Sequence, residues 1–458
     1  MEPRWHLIGI GGIGMSAIAR VLLARGETVS GSDVKDSALL EQLREEGADV
    51  CIGHSAENVG GAQTVIVSSA IDARNPEYAE ALRRKIPVLH RGEMLARLVR
   101  EGRGIAICGT HGKTTTTAMV HAVLRGGGID ASLVLGGIDA TLGSNAYVGS
   151  DSWLVTEADE SDGSFTLLEP KVAVVTNIEN DHLKSNDELP HLVDAFAEFV
   201  CRVPDDGLVA LGADDPLAAS LSSRGLRAGA VTFGLREPAD LLAREIRTEG
   251  LRSSFDVIAG GVCLGSVELG IPGGMNVRNA LGAIAVGRYL EVPFARIADA
   301  LHSFRGVRRR FDVLCRDPRM IVVDDYAHHP TAIRETIATA RACHRGPLIV
   351  AFQPHRYTRT AFLARDFAQA LRGADRVYLA PVYAASESPI PGISSASIGE
   401  PLAALGGDVA CVADVGDLES RLLSDVPSGS LVLMLGAGDI TDVAARLARR
   451  IQPEESFA

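Results

Sequence analysis

Residues 104–118, GIAICGTHGKTTTTA, set an unbroken apolar run, a turn bracketed by Gly109 and Gly112, and a stretch of hydroxyl residues in direct succession. An apolar run that does not alternate belongs to a strand buried on both faces, which in soluble chains means a parallel sheet flanked by helices. A glycine turn leading from such a strand into a helix leaves backbone N–H groups aimed at whatever sits on the helix N-terminus, and phosphate suits that position. The same succession occurs at the start of the chain, where HLIGIGGIGMSAIARVLLARG (6–26) runs from strand through glycines into a helix and on to TVSGSD (28–33). Two such units commit the chain to an α/β fold and raise the question of why it needs two phosphate cradles.

The remaining apolar runs extend the pattern. TVIVSSA (64–70) and IPVLH (86–90), followed by the helical EMLARLVR (93–100), complete a first unit, and SWLVTEADESD (152–162) and KVAVVTNIENDH (171–182) belong to the second. A third unit follows FRGVRRRFDVL and contains MIVVDDY (320–326), LIVAFQPHR (348–356), RVYLAPVY (376–383) and LVLMLGAGDI (431–440). Between the second and third units, VTFG, SSFDVIAGG and VCLGSVELGIPG, separated by turn residues, read as a small antiparallel β patch over 229–271. The 458 residues therefore divide into three α/β domains. These are a Rossmann-like domain over 1–100, a central P-loop ATPase-type domain carrying the antiparallel patch over 101–306, and a second Rossmann-like domain over 307–458.

Charge and cysteine usage narrow the class of partner. A net charge of -13 opposes nonspecific attraction to nucleic acid or to an anionic membrane surface, so a small-molecule partner is expected. The seven cysteines are scattered without a C-x-x-C pair, which fits a reducing compartment better than a disulfide scaffold or structural zinc. The N-terminus shows no basic segment leading into a long apolar stretch, and no run approaches the roughly 18 apolar residues of a membrane span. The expectation is a soluble cytoplasmic protein that engages neither nucleic acid nor membrane.

Each glycine loop has its own chemistry. Gly9, Gly11 and Gly14 fit G-x-G-x-x-G, and Asp33 at the end of the next strand is placed to accept from a ribose hydroxyl. That pattern alone suits a nicotinamide or flavin dinucleotide, another nucleotide diphosphate, or only a tight turn. GTHGKT is more specific, although Gly109 and Gly112 have two residues between them where the usual P-loop has four. Lys113 can reach β and γ phosphates, and Thr114 can offer its hydroxyl to Mg²⁺. Only five lysines stand among the basic residues, so Lys113 is not one surface charge among many. Glu157 and His182 each lie where an apolar strand stops, the end at which open α/β sheets bind ligands, and both suit a divalent metal beside Thr114. Without the loop, EADESD would read as a solvated acidic stretch and His182 as a structural histidine, and Arg308–Arg310 by themselves read as a solvated charge run.

Taken together, GIGGIGMSAIA, GSD, SSAI, GTHGKTTTTAMV, EADESD, TNIENDH, FRGVRRRFD, VDDYAHHPTAI, FQPHRYTRT and GAGDI resemble, in order and over nearly the whole chain, the bacterial Mur ligases. The resemblance implies that the first loop holds the diphosphate of a UDP-sugar and the second holds ATP. It implies an ATP-dependent ligase that joins L-alanine to the lactyl carboxylate of UDP-N-acetylmuramic acid through an acyl phosphate, in peptidoglycan precursor synthesis. Carried over by motif, Gly109, Thr110, His111, Gly112, Lys113, Thr114 and Thr115 serve ATP, with Asn276, Asn279 and Asp325 on the same nucleotide. Thr114, Glu157 and His182 serve Mg²⁺, and Arg310 the transferred phosphate. Gly11, Gly12, Gly14, Asp33 and Ser68 serve the UDP-sugar, and His328, Arg356 and Arg359 the amino acid, where a guanidinium fork suits an α-carboxylate.

Two departures from the family pattern stand out. Met275 occupies the position before Asn276 where the family commonly has His, so a nucleobase contact there becomes apolar. LKSND follows DH in place of the usual acidic and aromatic residues, at the wall of the second metal site. A relative that attaches a preformed peptide to the same sugar nucleotide is the competitor within the class. An NAD-dependent oxidoreductase rests only on GIGGIG and Asp33 and leaves GTHGKT unexplained. In this reading Lys113 touches only the ATP phosphates.

Overall fold

The computed structural model describes residues 5–180, 188–236 and 238–452. His182 and the LKSND segment lie outside the described residues. Three sheets carry the fold. The first has five parallel strands in the order Asp49–Ile52, Val29–Asp33, Trp5–Ile8, Thr64–Val67, Val88–His90. Its order reverses beside Trp5–Ile8, and the glycine loop leaves the C-terminal end of that strand, the position at which open α/β sheets bind ligands.

The second sheet has ten strands. Arg103–Cys108 lies between Val172–Val175 and Trp153–Glu157, parallel to both, and Ser132–Val134 continues the parallel set beyond Trp153–Glu157. On the other side Leu208–Gly212 pairs with Val172–Val175 and Gly229–Gly234 with Leu208–Gly212, again parallel. VTFG therefore belongs to the parallel sheet and not to an antiparallel patch. The next strand, Leu241–Glu249, begins level with the end of Gly229–Gly234, with Phe233 opposite Leu241, and runs in the same direction. Beyond it the sheet order continues through Arg252–Ala259 to Val262–Leu269. The links between these three strands are only two residues long, a length that permits antiparallel hairpins alone. Gly260 and Gly261 have φ of 54° and 82°, which supplies the positive angles such a turn requires.

The third sheet has the order Asp312–Arg316, Met320–Asp325, Ser430–Leu435, Leu348–Phe352, Arg376–Leu379, Val409–Cys411. It is parallel except at the edge pair Asp312–Arg316 and Met320–Asp325. Strands such as Val172–Val175 and Leu348–Phe352 are buried at every position, as their unbroken apolar sequences demand.

The chain divides into two compact units: Met1–Glu245 with Phe255–Val267 and Arg278–Arg305, and Ile246–Ser254 with Glu268–Val277 and Gly306–Ala458. Both glycine loops thus belong to one unit. Asn145 helps fix them there. Its fully buried amide donates to the carbonyl of Ile13 at 2.6 Å and to Ser16 Oγ at 2.8 Å, in the first turn of the helix Ile13–Ala24 that follows the N-terminal loop. Arg20 of the same helix donates to Asn145 Oδ1, and its remaining donors are taken by Gln42, Glu46 and Ser144.

Candidate active site

The helix Lys113–Gly126 begins at Gly112, which has φ of 84°, and Gly109 has φ of 128°. A side chain at Gly109 would meet Thr176 Oγ1, and one at Gly112 would meet Asn279 Oδ1 at 2.5 Å. Both glycines are therefore required by space as well as by φ. The loop between them is pinned from the neighbouring strand end. Thr110 N donates to the Asn177 carbonyl at 3.0 Å, His111 N to Asn177 Oδ1 at 2.9 Å, and Thr176 Oγ1 and Asn177 Nδ2 both donate to the His111 carbonyl. This cradle is built in advance, so binding phosphate need not order the loop.

Lys113 is not waiting in solvent. Its ammonium donates to the carbonyls of Gly109 at 2.7 Å and Thr110 at 3.3 Å, and to both oxygens of Glu160 at 3.0 and 2.8 Å. Glu160 is buried, and burial pushes its carboxyl up from the ordinary value against the pull of Lys113. For Lys113 burial is the largest single influence and acts downward, but the charge and hydrogen bonds of Glu160 together with the charge of Asp159 exceed it, so the ammonium is held above its ordinary value and stays charged. The reading of Lys113 as a side chain for ATP phosphates alone is thereby corrected: it also neutralises a buried acid. Thr114 Oγ1 donates to Glu157 Oε2 at 2.9 Å, and Glu157 Oε1 accepts from Gly136 N. A hydroxyl and a carboxylate in contact at the mouth of a phosphate cradle form a hard oxygen set that fits Mg²⁺. Asn279 lies against Gly112, and Asn276 is one helical turn earlier on Gly274–Tyr289, its Nδ2 donating to the Pro272 carbonyl at 2.7 Å.

The acidic stretch after Trp153–Glu157 is thus no free-standing solvated loop. Glu157 and Glu160 hold the ATP-type cradle, while Asp159 and Asp162 accept from Arg91 Nη2 at 3.3 and 3.2 Å. Neither Glu160 nor Arg91 was legible as a site residue in the sequence. The one signal for Glu160 was its place in an acidic run directly after a strand end. Arg91 carried only its place at the start of a helix after IPVLH.

At the N-terminal loop Gly9 has φ of 75°, and a side chain at Gly11 would come within 2.9 Å of Asp33 Oδ2 and 3.1 Å of Leu40. Gly11 N donates to Asp33 Oδ2 at 2.9 Å, and Asp33 Oδ1 accepts from Val34 N. Ser68 follows the strand Thr64–Val67 on the same edge of the sheet. Beneath this edge a buried polar network supports the strands. Glu77, fully buried, takes hydrogen bonds from Ser32 Oγ and Asn58 Nδ2 and pairs with His6 Nε2 at 3.2 Å. Burial opposes its charge, yet the contacts of His6, Ser32 and Asn58 prevail and bring its carboxyl down to about 2.

The second unit gathers the remaining residues. Arg309 and Phe311 have φ of 62° and 49°, and the turn they make is held by Asp325, whose oxygens accept from Phe311 N at 2.8 Å and Ala327 N at 2.7 Å. Asp325 therefore shapes the turn that presents Arg310, whose guanidinium lies 4.9 Å over the Tyr326 ring. Burial pushes the neighbouring Asp324 carboxyl up to about 6. The His328 ring lies 5.1 Å from Tyr326 and 5.7 Å from His355, and His355 stacks on Tyr383. Burial, with Arg359 and Arg356 nearby, brings His355 down to about 4, so it is neutral at physiological pH. Arg356 has φ of 72° at the start of the helix Tyr357–Leu371, and its N–H donates to the Tyr383 carbonyl at 2.8 Å. His355, which the motif reading left out, thus has the His328 ring on one side and the Tyr383 ring on another, within the field of Arg359 and Arg356.

Comparison with known proteins bears on both units. Residues 4–103 match the model of the Mur ligase family catalytic domain, 107–287 the Mur ligase middle domain, and 309–438 the Mur ligase glutamate ligase domain. The UDP-N-acetylmuramate–L-alanine ligase of Trichlorobacter lovleyi is 45% identical over 449 residues, covering 97% of this chain and 98% of that protein. The protein of the same name from Geobacter sulfurreducens is 46% identical over 438 residues, covering 95% of each. The crystal structure of the UDP-N-acetylmuramate-alanine ligase of Thermotoga maritima superposes with a TM-score of 0.85 at 32% identity, over 99% of both chains. A murein peptide ligase from Psychrobacter arcticus, at 23% identity and a TM-score of 0.73 over 98% of this chain and 99% of that one, shares the fold.

Proposed function

The chain belongs to the Mur ligase family, and we propose that it joins L-alanine to the lactyl carboxylate of UDP-N-acetylmuramic acid, with ATP converted to ADP and phosphate, in peptidoglycan precursor synthesis. The observation that carries the reading is the presence, in one compact unit, of two glycine cradles joined by a single acidic loop. One cradle is spaced for a nucleotide diphosphate, and the other has the lysine and hydroxyl of a triphosphate site. A dehydrogenase has no use for the second.

In this reading residues 1–100 bind the sugar nucleotide, 101–306 bind ATP, and 307–458 bind the amino acid. The lactyl carboxylate oxygen attacks the γ-phosphorus, the bond to the β–γ bridging oxygen breaks, and ADP leaves. The alanine amine then attacks the acyl carbon and loses a proton, the bond from that carbon to the bridging oxygen breaks, and inorganic phosphate departs carrying that oxygen while the carbonyl oxygen stays in the amide. Two anions must approach for the first step, so the chain's main contribution is charge neutralisation and positioning. Lys113 and the N–H groups at the helix start, Gly112–Thr115, take the β and γ oxygens, and Arg310 takes charge on the transferred group. Thr114 and Glu157, with His182 assigned by motif, would hold Mg²⁺, which supplies charge to the phosphate oxygens when bound. Asn276, Asn279 and Asp325 serve the nucleotide side directly or through the turns they hold.

Gly11, Gly12, Gly14, Asp33 and Ser68 receive the UDP-sugar. Arg356 and Arg359 fork the alanine carboxylate, and His328 serves the same amino acid. The curated relatives named for L-alanine at about 45% identity over nearly the whole chain support the single amino acid over a preformed peptide. No helix among the described residues is long and apolar enough to cross a membrane, which accords with a cytoplasmic place for a reaction on soluble nucleotides. The test is phosphate release from ATP with UDP-N-acetylmuramate, one amino acid at a time. L-alanine should give the highest kcat/KM. Turnover with a preformed peptide and hardly any with alanine would overturn the substrate assignment.

A further inference from the structure

Arg91 has no role in the reaction described above, yet it borders the sugar-nucleotide loop and pairs with the acidic loop that also carries Glu157 and Glu160. It opens the helix Arg91–Glu101 directly after the last strand of the N-terminal sheet. Its Nη1 lies 3.2 Å from where a side chain on Gly14 would begin, so the guanidinium borders the last glycine of the sugar-nucleotide loop. Its Nη2 donates to Asp159 Oδ2 at 3.3 Å and Asp162 Oδ2 at 3.2 Å. Asp162 also accepts from Ser69 Oγ at 3.4 Å. The helix start is seated hard on the far end of the acidic loop, because a side chain on Gly92 would collide with Ser164. Along that loop the contacts divide by position: Glu157 and Glu160 hold Thr114 and Lys113, whereas Asp159 and Asp162 hold Arg91.

We propose that Arg91 is a positioning residue that ties the sugar-nucleotide loop to the acidic loop holding Lys113 and Thr114, so that filling one phosphate site tightens the other. This rests on the function proposed above. A guanidinium has five donors in a rigid plane, so one that already bridges two aspartates still has donors for a diphosphate arriving at Gly11–Gly14. Such a third anion fixes Arg91, and through Asp159 and Asp162 fixes the loop whose other two carboxylates set the ATP cradle. The cost of fixing Arg91 and the acidic loop, as distinct from the glycine turn already held by Thr176 and Asn177, falls on whichever ligand binds first, and the second binds more tightly. Linkage makes the effect reciprocal, with coupling factors of about 5 to 150 typical of such systems.

The experiment measures the affinity of the full-length protein for the ATP analogue AMP-PNP with Mg²⁺, by calorimetry, with UDP-N-acetylmuramate absent and then saturating. In the unaltered protein the sugar nucleotide should tighten AMP-PNP by about fivefold or more. Arg91→Gln should bring that ratio to within about twofold of unity while AMP-PNP affinity without the sugar stays near its starting value. Arg91→Lys should restore part of the coupling, because charge is kept and the planar fork lost. Should Arg91→Gln fail to fold, Asp159→Asn/Asp162→Asn removes the same tie from the other side and carries the same expectation. Full coupling in either variant, or none in the unaltered protein, overturns the proposal. If the functional reading itself were wrong, one of the two ligands would not bind alone; if only the coupling is wrong, both bind alone and the ratio ignores Arg91.

Discussion

Replacing Lys113 by alanine should cost folding stability as well as activity, and the structure sets the size. The change leaves the Glu160 carboxylate, with its side chain 4% exposed, without its cation. Breaking a buried pair by deleting one member costs about 3–5 kcal/mol. The orphaned group can escape part of that by taking up a proton. From an unfolded value of 4.5, holding it neutral at pH 7.5 costs about 4 kcal/mol, and at pH 5.5 about 1.4 kcal/mol. The sign follows from linkage: the folded variant holds a Glu160 proton that its unfolded chain has released above pH 4.5, so its stability rises as pH falls toward that value. Adding Glu160→Gln removes the charge and should recover most of the loss. For a unit of this size, about 3 kcal/mol corresponds to roughly 5 °C in Tm. The assay is thermal unfolding of the nucleotide-free protein, Lys113→Ala, Glu160→Gln and the double variant at pH 7.5 and 5.5. Phosphate release, which the double variant should not regain, is measured in parallel. A Lys113→Ala protein as stable as its parent at pH 7.5, or one whose deficit the second change leaves intact, would refute the reasoning.

Gly11→Val places a branched side chain against Asp33 and Leu40, and should raise the UDP-sugar requirement by more than tenfold while the KM for ATP stays nearly constant; tight NADH binding by the parent protein would count against this site assignment. Arg356→Lys keeps the charge but loses the fork, and a charge-assisted bond of about 1.5–3 kcal/mol predicts a rise in the L-alanine KM of roughly one to two orders of magnitude, with ATP and sugar little affected. Glu77, held at about 2 against 4.5 when unfolded, contributes about 3 kcal/mol that is present above pH 4.5 and lost as pH falls toward 2. Acid unfolding of Glu77→Gln should therefore show a shallower fall over that window than the parent, and an identical pH profile would exclude the network.

Much of this protein is decided by short-range pattern. GIAIC followed by GTHGKT already dictates a buried strand, a turn only glycine can make and a helix N-terminus open to phosphate. Each of those depends on residues within a few positions of one another, and the structure adds only the collisions with Thr176 and Asn279 that make the glycines obligatory. The apolar strands were legible for the same reason, since burial on both faces leaves an unbroken hydrophobic run. Whether VTFG pairs parallel or antiparallel was not legible. Strand direction depends on which neighbour offers its backbone, and here that neighbour is Leu208–Gly212, reached across a connection that carries the short helix Pro216–Ser220. The charged residues of the site divide in the same way. A carboxylate at a strand end, such as Glu157, is placed by the strand itself. Glu160 acquires its role only because its loop folds back over Lys113, 47 positions away, and Arg91 because Asp159, 68 positions on, is brought beside it. A charge in an acidic or basic run looks solvated in one dimension; only the tertiary structure removes the water and supplies the partner, and that desolvation makes the pair matter.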